Sequence, residues 1–526
     1  MRTKNSIRNI LVSFLSYLII LIGSFITRKI FVNVLGLKII GIEGMFLNVV
    51  SALSIIELGL GTGIVYKLYK PIANSDWEQV SIILCFLRKA YYIISASILI
   101  IGIGISYFVI SPISDDFSKI WLAKIFILYI LDIIFSYLYA HKRSMFIADQ
   151  KNYVNNLIHI LVQIIMFTSQ IFILKFSGSF ELYLIIKILC RIFENTIISL
   201  RFDKRYTLID LKIKKNMPEL EKKDLFRNIR AMLVHKISAY GATSASSLII
   251  AYGVNLRTNG IYYNYMLIVN AITTVTSEFF NSITASFGNL LNSSENKVKI
   301  YENFNVLYFL NFLIYSFGTS AFVCIITPFM NIWTGPETEF NIFITISIAG
   351  YLYIYGIRQS IGMVKTGAGI YDPDKYTSLM GAFVSILTSF VLVDTLGIAG
   401  VMIGNVVGIL SASYWTQPYL VYRNIFKKEV KYYHYRFVLY TVLTSLYIYL
   451  CYIVIRLNYI KNIQVNFSDF LNSFNLSGES SYLISQIFVN FIVCLIIPNI
   501  LNLIIFCKSK ELSKILDIFK NILIKK

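Results

Sequence analysis

Apolar residues in this chain come in long blocks separated by short polar pieces. Blocks of about 20 mainly apolar residues, the length an α-helix needs to cross a hydrocarbon core, fall at 8–27, 40–65, 90–111, 120–140, 154–174 and 180–200. A second series follows at 237–256, 260–284, 304–327, 341–363, 377–395, 397–416, 437–455 and 482–506. Fourteen transmembrane helices are thus expected. The chain has eight prolines, and Pro71, Pro112, Pro328 and Pro418 stand at block ends, where a residue without an N–H interrupts a helix at least cost. The pattern predicts an all-α polytopic membrane protein.

The distribution of charge orients the helices. With the N-terminus in the cytoplasm, 36 of the 48 Lys and Arg fall on cytoplasmic pieces, eight on external loops and four in spans. That asymmetry follows the positive-inside rule and puts both termini in the cytoplasm. The apolar run after Arg2, Lys4 and Arg8 is not closed by a small-residue cleavage site, so it reads as a retained first helix.

Composition then excludes whole classes. Hydrophobic residues make up 56% and charged ones 14%, against about 25% charged in soluble domains, so most of the surface must face lipid. The net charge of +20 is accounted for by topology and by attraction to anionic membrane lipids. It does not indicate nucleic acid, since no basic patch with interleaved aromatics lies in a soluble domain. The six cysteines are scattered, without a CxxC, and read as small apolar residues. The four histidines show no metal spacing, and His159 in the fifth span has no acidic neighbour in sequence. No metal, cofactor or nucleotide site is expected. An enzyme of the membrane glycosyltransferase or polymerase type would need an acidic pair or a large external loop. Asp115-Asp116 sits in a loop of about nine residues that reads as a helix-end turn.

A faint repeat divides the chain. Gly44-Met-Phe-Leu-Asn48 at the start of the second span matches Gly260-Ile-Tyr-Tyr-Asn264 at the start of the eighth, six spans later. Two six-helix bundles related by an axis along the membrane normal would result. The expected organisation is a lobe at 1–200, a basic cytoplasmic linker at 201–236 with 11 basic and five acidic residues, and a second lobe at 237–416. Two extra helices lie within 417–506. In the tail, 507–526, Leu512, Ile515, Leu516, Phe519, Ile522 and Leu523 recur at helical spacing among lysines, which predicts a cytoplasmic amphipathic helix.

The stretch Glu57–Ala73, ELGLGTGIVYKLYKPIA, carries three alternating glycines, Gly59, Gly61 and Gly63. Alternation cannot make one helical face, so a bendable segment is expected there. With Arg28 upstream and Arg88-Lys89-Ala90-Tyr91 downstream, this stretch resembles the bacterial polysaccharide flippases. That family lies within the multidrug/oligosaccharidyl-lipid/polysaccharide exporter superfamily. Tyr262–Tyr265, Ser286-Phe-Gly-Asn289 and Leu396-Gly-Ile-Ala-Gly400 extend the resemblance over all but roughly the last hundred residues. It implies two six-helix lobes around a central cavity, here with two added helices. It also implies movement of an undecaprenyl-pyrophosphate-linked oligosaccharide to the outer leaflet of the bacterial cytoplasmic membrane, by alternating access and alongside other surface-polysaccharide assembly proteins.

Charges within spans are costly and by default face a cavity or a partner. Lys187, Arg191 and Glu194 share one face of the sixth span by their spacing. Arg358 lies deep in the tenth span with no in-span acid nearby in sequence, and its guanidinium fork suits phosphate. Arg28 ends the first span against the positive-inside trend, where the resemblance puts an arginine. These four bases, Arg358, Arg191, Lys187 and Arg28, are the headgroup candidates. Glu57, Asp132, Glu194 and Glu278 are the carboxylates available for a coupling ion, or for pairing with Lys124 or another base. Two transport readings stand: a flippase for lipid-linked oligosaccharide, and an extruder of cationic drugs, in which carboxylates would outweigh bases.

Overall fold

The computed structural model describes residues 2–524 apart from 55, 56, 58, 59, 115, 214, 216, 293–296, 371 and 474–477. All regular structure among the described residues is helical. By Cα proximity the chain forms two compact units, 1–263 and 264–526.

Unit 1 opens with α1 (Arg2–Leu53), kinked at Gly36, whose φ of 81° lies in the region that only glycine enters freely. The helices α2 (Leu60–Ala73), α3 (Trp77–Ile110), α4 (Lys119–Tyr137) and α5 (Ala140–Ala148) follow, then α6 (Asn152–Phe176), α7 (Phe180–Arg205) and α8 (Glu219–Gly253). Side chains capture free N–H groups at the starts of α3, α4 and α7: Asp76 takes Gln79, Ser118 takes Trp121 and Ser179 takes Leu182. α8 packs on α1 and α2. The core is aliphatic and aromatic, with Phe31 edge-on to Phe180 and Tyr183, and Phe46 edge-on to Phe126.

The helix α9 (Leu256–Asn292) carries the chain into unit 2. There follow α10 (Lys297–Trp333), α11 (Ile342–Gly356), α12 (Gln359–Gly367), α13 (Lys375–Leu396), α14 (Ile398–Ser411) and α15 (Ser413–Val421). The unit ends with α16 (Lys431–Arg456), α17 (Asn458–Asn472), α18 (Gly478–Ile505) and α19 (Lys510–Ile524). Gly400, Gly404 and Gly408 recur every four residues along α14. A Cβ at Gly400 or Gly404 would fall within 2.4 Å of α13 atoms, and one at Gly408 within 2.5 Å of Ser385. Small residues at that spacing let two membrane helices meet backbone to backbone.

Nine helices among the described residues are long and apolar enough to cross a membrane, and shorter or more polar ones complete the series. The chain is therefore a multi-pass membrane protein, and a helix stands at each of the fourteen expected spans. Three details differ from the pattern. The expected span 40–65 is broken between Leu53 and Leu60. α8 begins at Glu219, inside the stretch read as linker, because its charged first turns still form a helix on the way to the apolar part. α17 is a helix with one polar face, too short and too polar to register as a span.

The element order repeats. The part of α1 before Gly36 matches α8, its remainder with α2 matches α9, and α3 matches α10. Further on, α4 with α5 matches α11 with α12, α6 matches α13, and α7 matches α14 with α15. The most telling correspondence is the broken pair: α5 and α12 are both nine residues long, and each follows a two-residue interruption of an apolar helix. Interrupted apolar helices at matching positions of two repeats are the best structural pointer to a transport site.

Candidate functional site

In unit 1 the interruption at residues 138–139 is supported by α7. Asn195 Nδ2 donates to the carbonyl of Phe135 (2.6 Å), one of the groups that α4 releases as it ends, and Asn195 Oδ1 accepts from Arg143 Nη2 on α5 (2.7 Å). Arg143 thereby enters a charged network in the helix bundle. Its Nη2 also donates to Glu194 (2.9 Å), and His159 Nδ1 lies 3.2 Å from the same carboxylate. Asp132 on α4 receives Lys187 at 2.9 Å and Arg191 at 3.4 Å, and Arg191 reaches Glu194 at 4.0 Å. Four helices contribute, and a single network results.

Its electrostatics are lopsided. Three permanent cations face two carboxylates, leaving one positive charge before His159 is counted. The carboxylate side chains are 8% and 3% exposed, whereas those of Lys187, Arg191 and Arg143 are 21–24% exposed. The negative charge is sequestered and the surplus positive charge is accessible. His141 on α5, outside the spans, adds nothing: burial, with Lys142 and Arg88 nearby, pushes it down to about 3, so it is neutral at physiological pH.

The expected face of Lys187, Arg191 and Glu194 is thus present, and Asp132 pairs with its two bases, with Lys124 taking no part in the network. Arg143, Asn195 and His159 were not legible as members. Arg143 lies beyond its span in the linear pattern, and the acidic neighbour that His159 lacks in sequence is Glu194, 35 residues on.

Other candidates stand apart. Arg28 is ion-paired with Glu43, which lies past the Gly36 kink, and its guanidinium sits over the rings of Tyr263 (5.2 Å) and Phe31 (5.5 Å). Glu57 occupies the turn between α1 and α2, accepting from the buried hydroxyl of Tyr91 (3.1 Å), whose ring stacks on Tyr137. Gly61 and Gly63 are helical residues of α2, so the interruption precedes them; Gly59 lies outside the described residues. Glu278 is exposed on α9.

In unit 2 the matching interruption holds Arg358, at the residue before α12. Asn311 on α10 donates to the carbonyls of Gly356 (3.1 Å) and Ile357 (2.8 Å), the groups freed where α11 ends. Gly356 is required there, since a Cβ would lie 1.9 Å from the Tyr315 ring. Arg358 Nη2 donates to Gln417 on α15 (3.0 Å), its Nε is buried without a partner, and among the described residues no carboxylate pairs with it. Gln359 next to it donates to Ser277 (2.8 Å). Each interruption thus has an asparagine amide on its freed carbonyls and an arginine close by. Replacing Asn311 by leucine leaves two buried carbonyls unpaired, at about 1–3 kcal/mol each. Thermal unfolding of the detergent-solubilised protein is expected to fall accordingly, and an unchanged midpoint would show that the amide does not hold the break.

No protein-family model and no curated protein matches the sequence. Solved structures do match. A lipid II flippase MurJ in an inward closed conformation aligns with a TM-score of 0.61 at 15% identity, over 94% of this chain and 99% of the other. An inward-facing multidrug resistance MATE family transporter of the MOP superfamily aligns with a TM-score of 0.56 at 15% identity, over 74% and 92%. A Vibrio cholerae MATE transporter gives 0.52 at 12% identity, over 81% and 99%. The chain has the fold of these transporters.

Proposed function

We propose that this chain, whose fold is that of lipid II flippases and multidrug exporters, is a flippase for a phosphate-bearing lipid-linked oligosaccharide. It moves undecaprenyl-pyrophosphate-linked repeat units from the inner to the outer leaflet of the bacterial cytoplasmic membrane, for surface polysaccharide assembly. Sugars and phosphates cannot enter hydrocarbon without replacement of their water, so the protein supplies polar and cationic groups while the lipid tail stays in the bilayer. No bond is made or broken. The carrying observation is the polarity of the two interruptions: buried, outnumbered carboxylates beside accessible Lys187, Arg191 and Arg143 in unit 1, and in unit 2 Arg358, with no carboxylate paired to it among the described residues. Such a charge balance favours an anionic headgroup. Arg28, held by Glu43, is assigned a structural role.

A second reading, extrusion of cationic compounds, is favoured by the exposed carboxylate Glu278. Complementation separates the two. In a strain lacking its own polysaccharide flippase, the wild-type chain is expected to restore surface glycan. Arg358→Ala and Arg191→Ala at matched expression are each expected to reduce it at least about tenfold, the effect of losing one charge-assisted contact of about 1.5–3 kcal/mol. Drug efflux without glycan, abolished by Glu278→Gln and indifferent to Arg358→Ala, would overturn the proposal.

A further inference from the structure

A second cationic site lies away from the interruptions, at the end of unit 2 where the chain finishes. A cavity of about 270 Å³ opens between the first turns of α10, the start of α16 and α19. It is lined by Asn305, Lys428, Arg436, Lys510 and Lys514, with Glu302 and Glu511 as its acids. Four cations face two carboxylates. Arg436 Nη2 donates to Glu511 (2.7 Å) and Lys514 Nζ to Glu302 (2.7 Å), and these two ion pairs dock α19 against the rest of the unit. Leu512 and Ile515, on the apolar side of α19, are buried beneath.

Two polar atoms of the cavity residues are left over. Arg436 Nη1 and Asn305 Oδ1 are both buried and have no hydrogen-bond partner among the described residues, and Asn305 is 8% exposed as a residue. An unmatched buried guanidinium N–H is costly, and an acceptor in the cavity would recover that cost. The approach of Lys428 is built with strain. Lys427 adopts a left-handed conformation (φ 53°), which a non-glycine residue enters only with strain. That turn lets Lys428 N–H close on the carbonyl of Tyr422 (3.2 Å) and sets its ammonium 4.5 Å from the Tyr301 ring. Lys428 also lines an adjoining open cleft of about 590 Å³ with Arg423 and Lys427. The ligand chemistry is therefore that of a phosphate: compact, anionic and rich in acceptors.

We propose that this cavity binds the phosphate headgroup of an anionic phospholipid, with α19 as the flap that closes it. A lipid source is favoured over a soluble one because α19 has one apolar and one lysine-rich face, as helices lying in a membrane interface do. Tyr432, which lines the adjoining cleft, and Tyr435 are exposed at 52% and 71% on the first turns of α16, the residue type that collects at headgroup level. The charge asymmetry of the sequence places this end on the cytoplasmic side, where anionic lipids concentrate.

The test uses the full chain, delipidated in detergent, with its thermal midpoint measured against added phosphatidylglycerol, phosphatidylcholine or inorganic phosphate. Phosphatidylglycerol is expected to raise the midpoint and phosphatidylcholine is not. Lys428→Gln/Lys510→Gln, which breaks neither docking ion pair, is expected to weaken the apparent affinity for phosphatidylglycerol at least tenfold. Lys119→Gln/Lys461→Gln, which removes equal charge far from the cavity in sequence, leaves it unchanged. Equal responses to both phospholipids, or equal losses in both double variants, would reduce the effect to bulk attraction and overturn the site. A rise with millimolar phosphate alone, and none with phosphatidylglycerol, would overturn the lipid assignment.

Discussion

Asp132→Leu is expected to be the most damaging single substitution among the candidate residues, lowering the stability of the detergent-solubilised protein by about 3–5 kcal/mol. The carboxylate is 8% exposed and is shared by Lys187 and Arg191. Removing it leaves an ammonium and a guanidinium charge one helical turn apart and only partly exposed, beside Arg143. Lys187→Met should cost clearly less, because Asp132 keeps Arg191. The double variant Asp132→Leu/Lys187→Met should recover part of the loss, since Arg191 then has Glu194, 4.0 Å away, as its remaining partner. Glu278→Gln, exposed on α9, should leave stability unaltered. The measurement is the unfolding midpoint by intrinsic fluorescence. A single Asp132→Leu variant as stable as wild type would mean the two bases reach water or lipid phosphate unaided, and the network would not be the pinned, surplus-positive site described above.

How much of that site was legible follows from the range of the interactions. Lys187, Arg191 and Glu194 lie within two turns of one helix, so their spacing alone puts them on one face. Asp132, Arg143 and His159 arrive from three other helices, and no periodicity reports which helices will be neighbours. The same holds for Glu43, brought to Arg28 by a kink that depends on the positive φ of one glycine. Arg358 was visible because a charge in an apolar block is conspicuous. The interruption that presents it was not, since a single glycine such as Gly356 is common inside transmembrane helices and marks no break by itself. What ends α11 there is Asn311, 45 residues earlier in the chain, taking over its last carbonyls.

The spans themselves were legible for a simple reason: the bilayer fixes the length and polarity of what crosses it, so hydropathy is nearly a geometric measurement. Elements outside that constraint escaped. The nine-residue α5 and α12 merge into the blocks and loops around them, and α17 with the first turns of α8 mixes polar and apolar residues as soluble helices do. The broken second span sits between these cases. Its glycines signalled a weak point, yet Gly61 and Gly63 are helical residues of α2, and hydropathy that runs on through 54–59 hid the end of α1 at Leu53.

The short match between Gly44–Asn48 and Gly260–Asn264 proves to mark a contact, and it carries the second large expected effect. In unit 1 the part of α1 after the kink crosses α9 so closely that a Cβ on Gly260 would lie 2.1 Å from the carbonyl oxygen of Leu37. One on Gly41 would lie 2.0 Å from that of Leu256. The obstructing atoms are backbone and cannot turn aside as a side chain can. The approach is tied by buried hydrogen bonds, Asn259 Nδ2 to the carbonyl of Gly41 (2.8 Å) and Ser247 Oγ to Asn259 Oδ1 (3.0 Å). Gly260→Ala is therefore expected to destabilise by about 1–3 kcal/mol, although alanine is the better helix former. Gly318→Ala on α10, where a Cβ meets nothing within 4 Å, should gain about 0.5–1 kcal/mol from reduced chain entropy. The two substitutions are chemically identical, both in long helices, so the opposite signs isolate the crossing as the cause. If both raise the unfolding midpoint, the helices do not touch at Gly260. In that case the repeat would be a trace of duplication without a packing role. If only Gly260→Ala lowers it, the crossing at Gly260 depends on having no side chain there, as expected where lipid offers no hydrophobic drive for helix association.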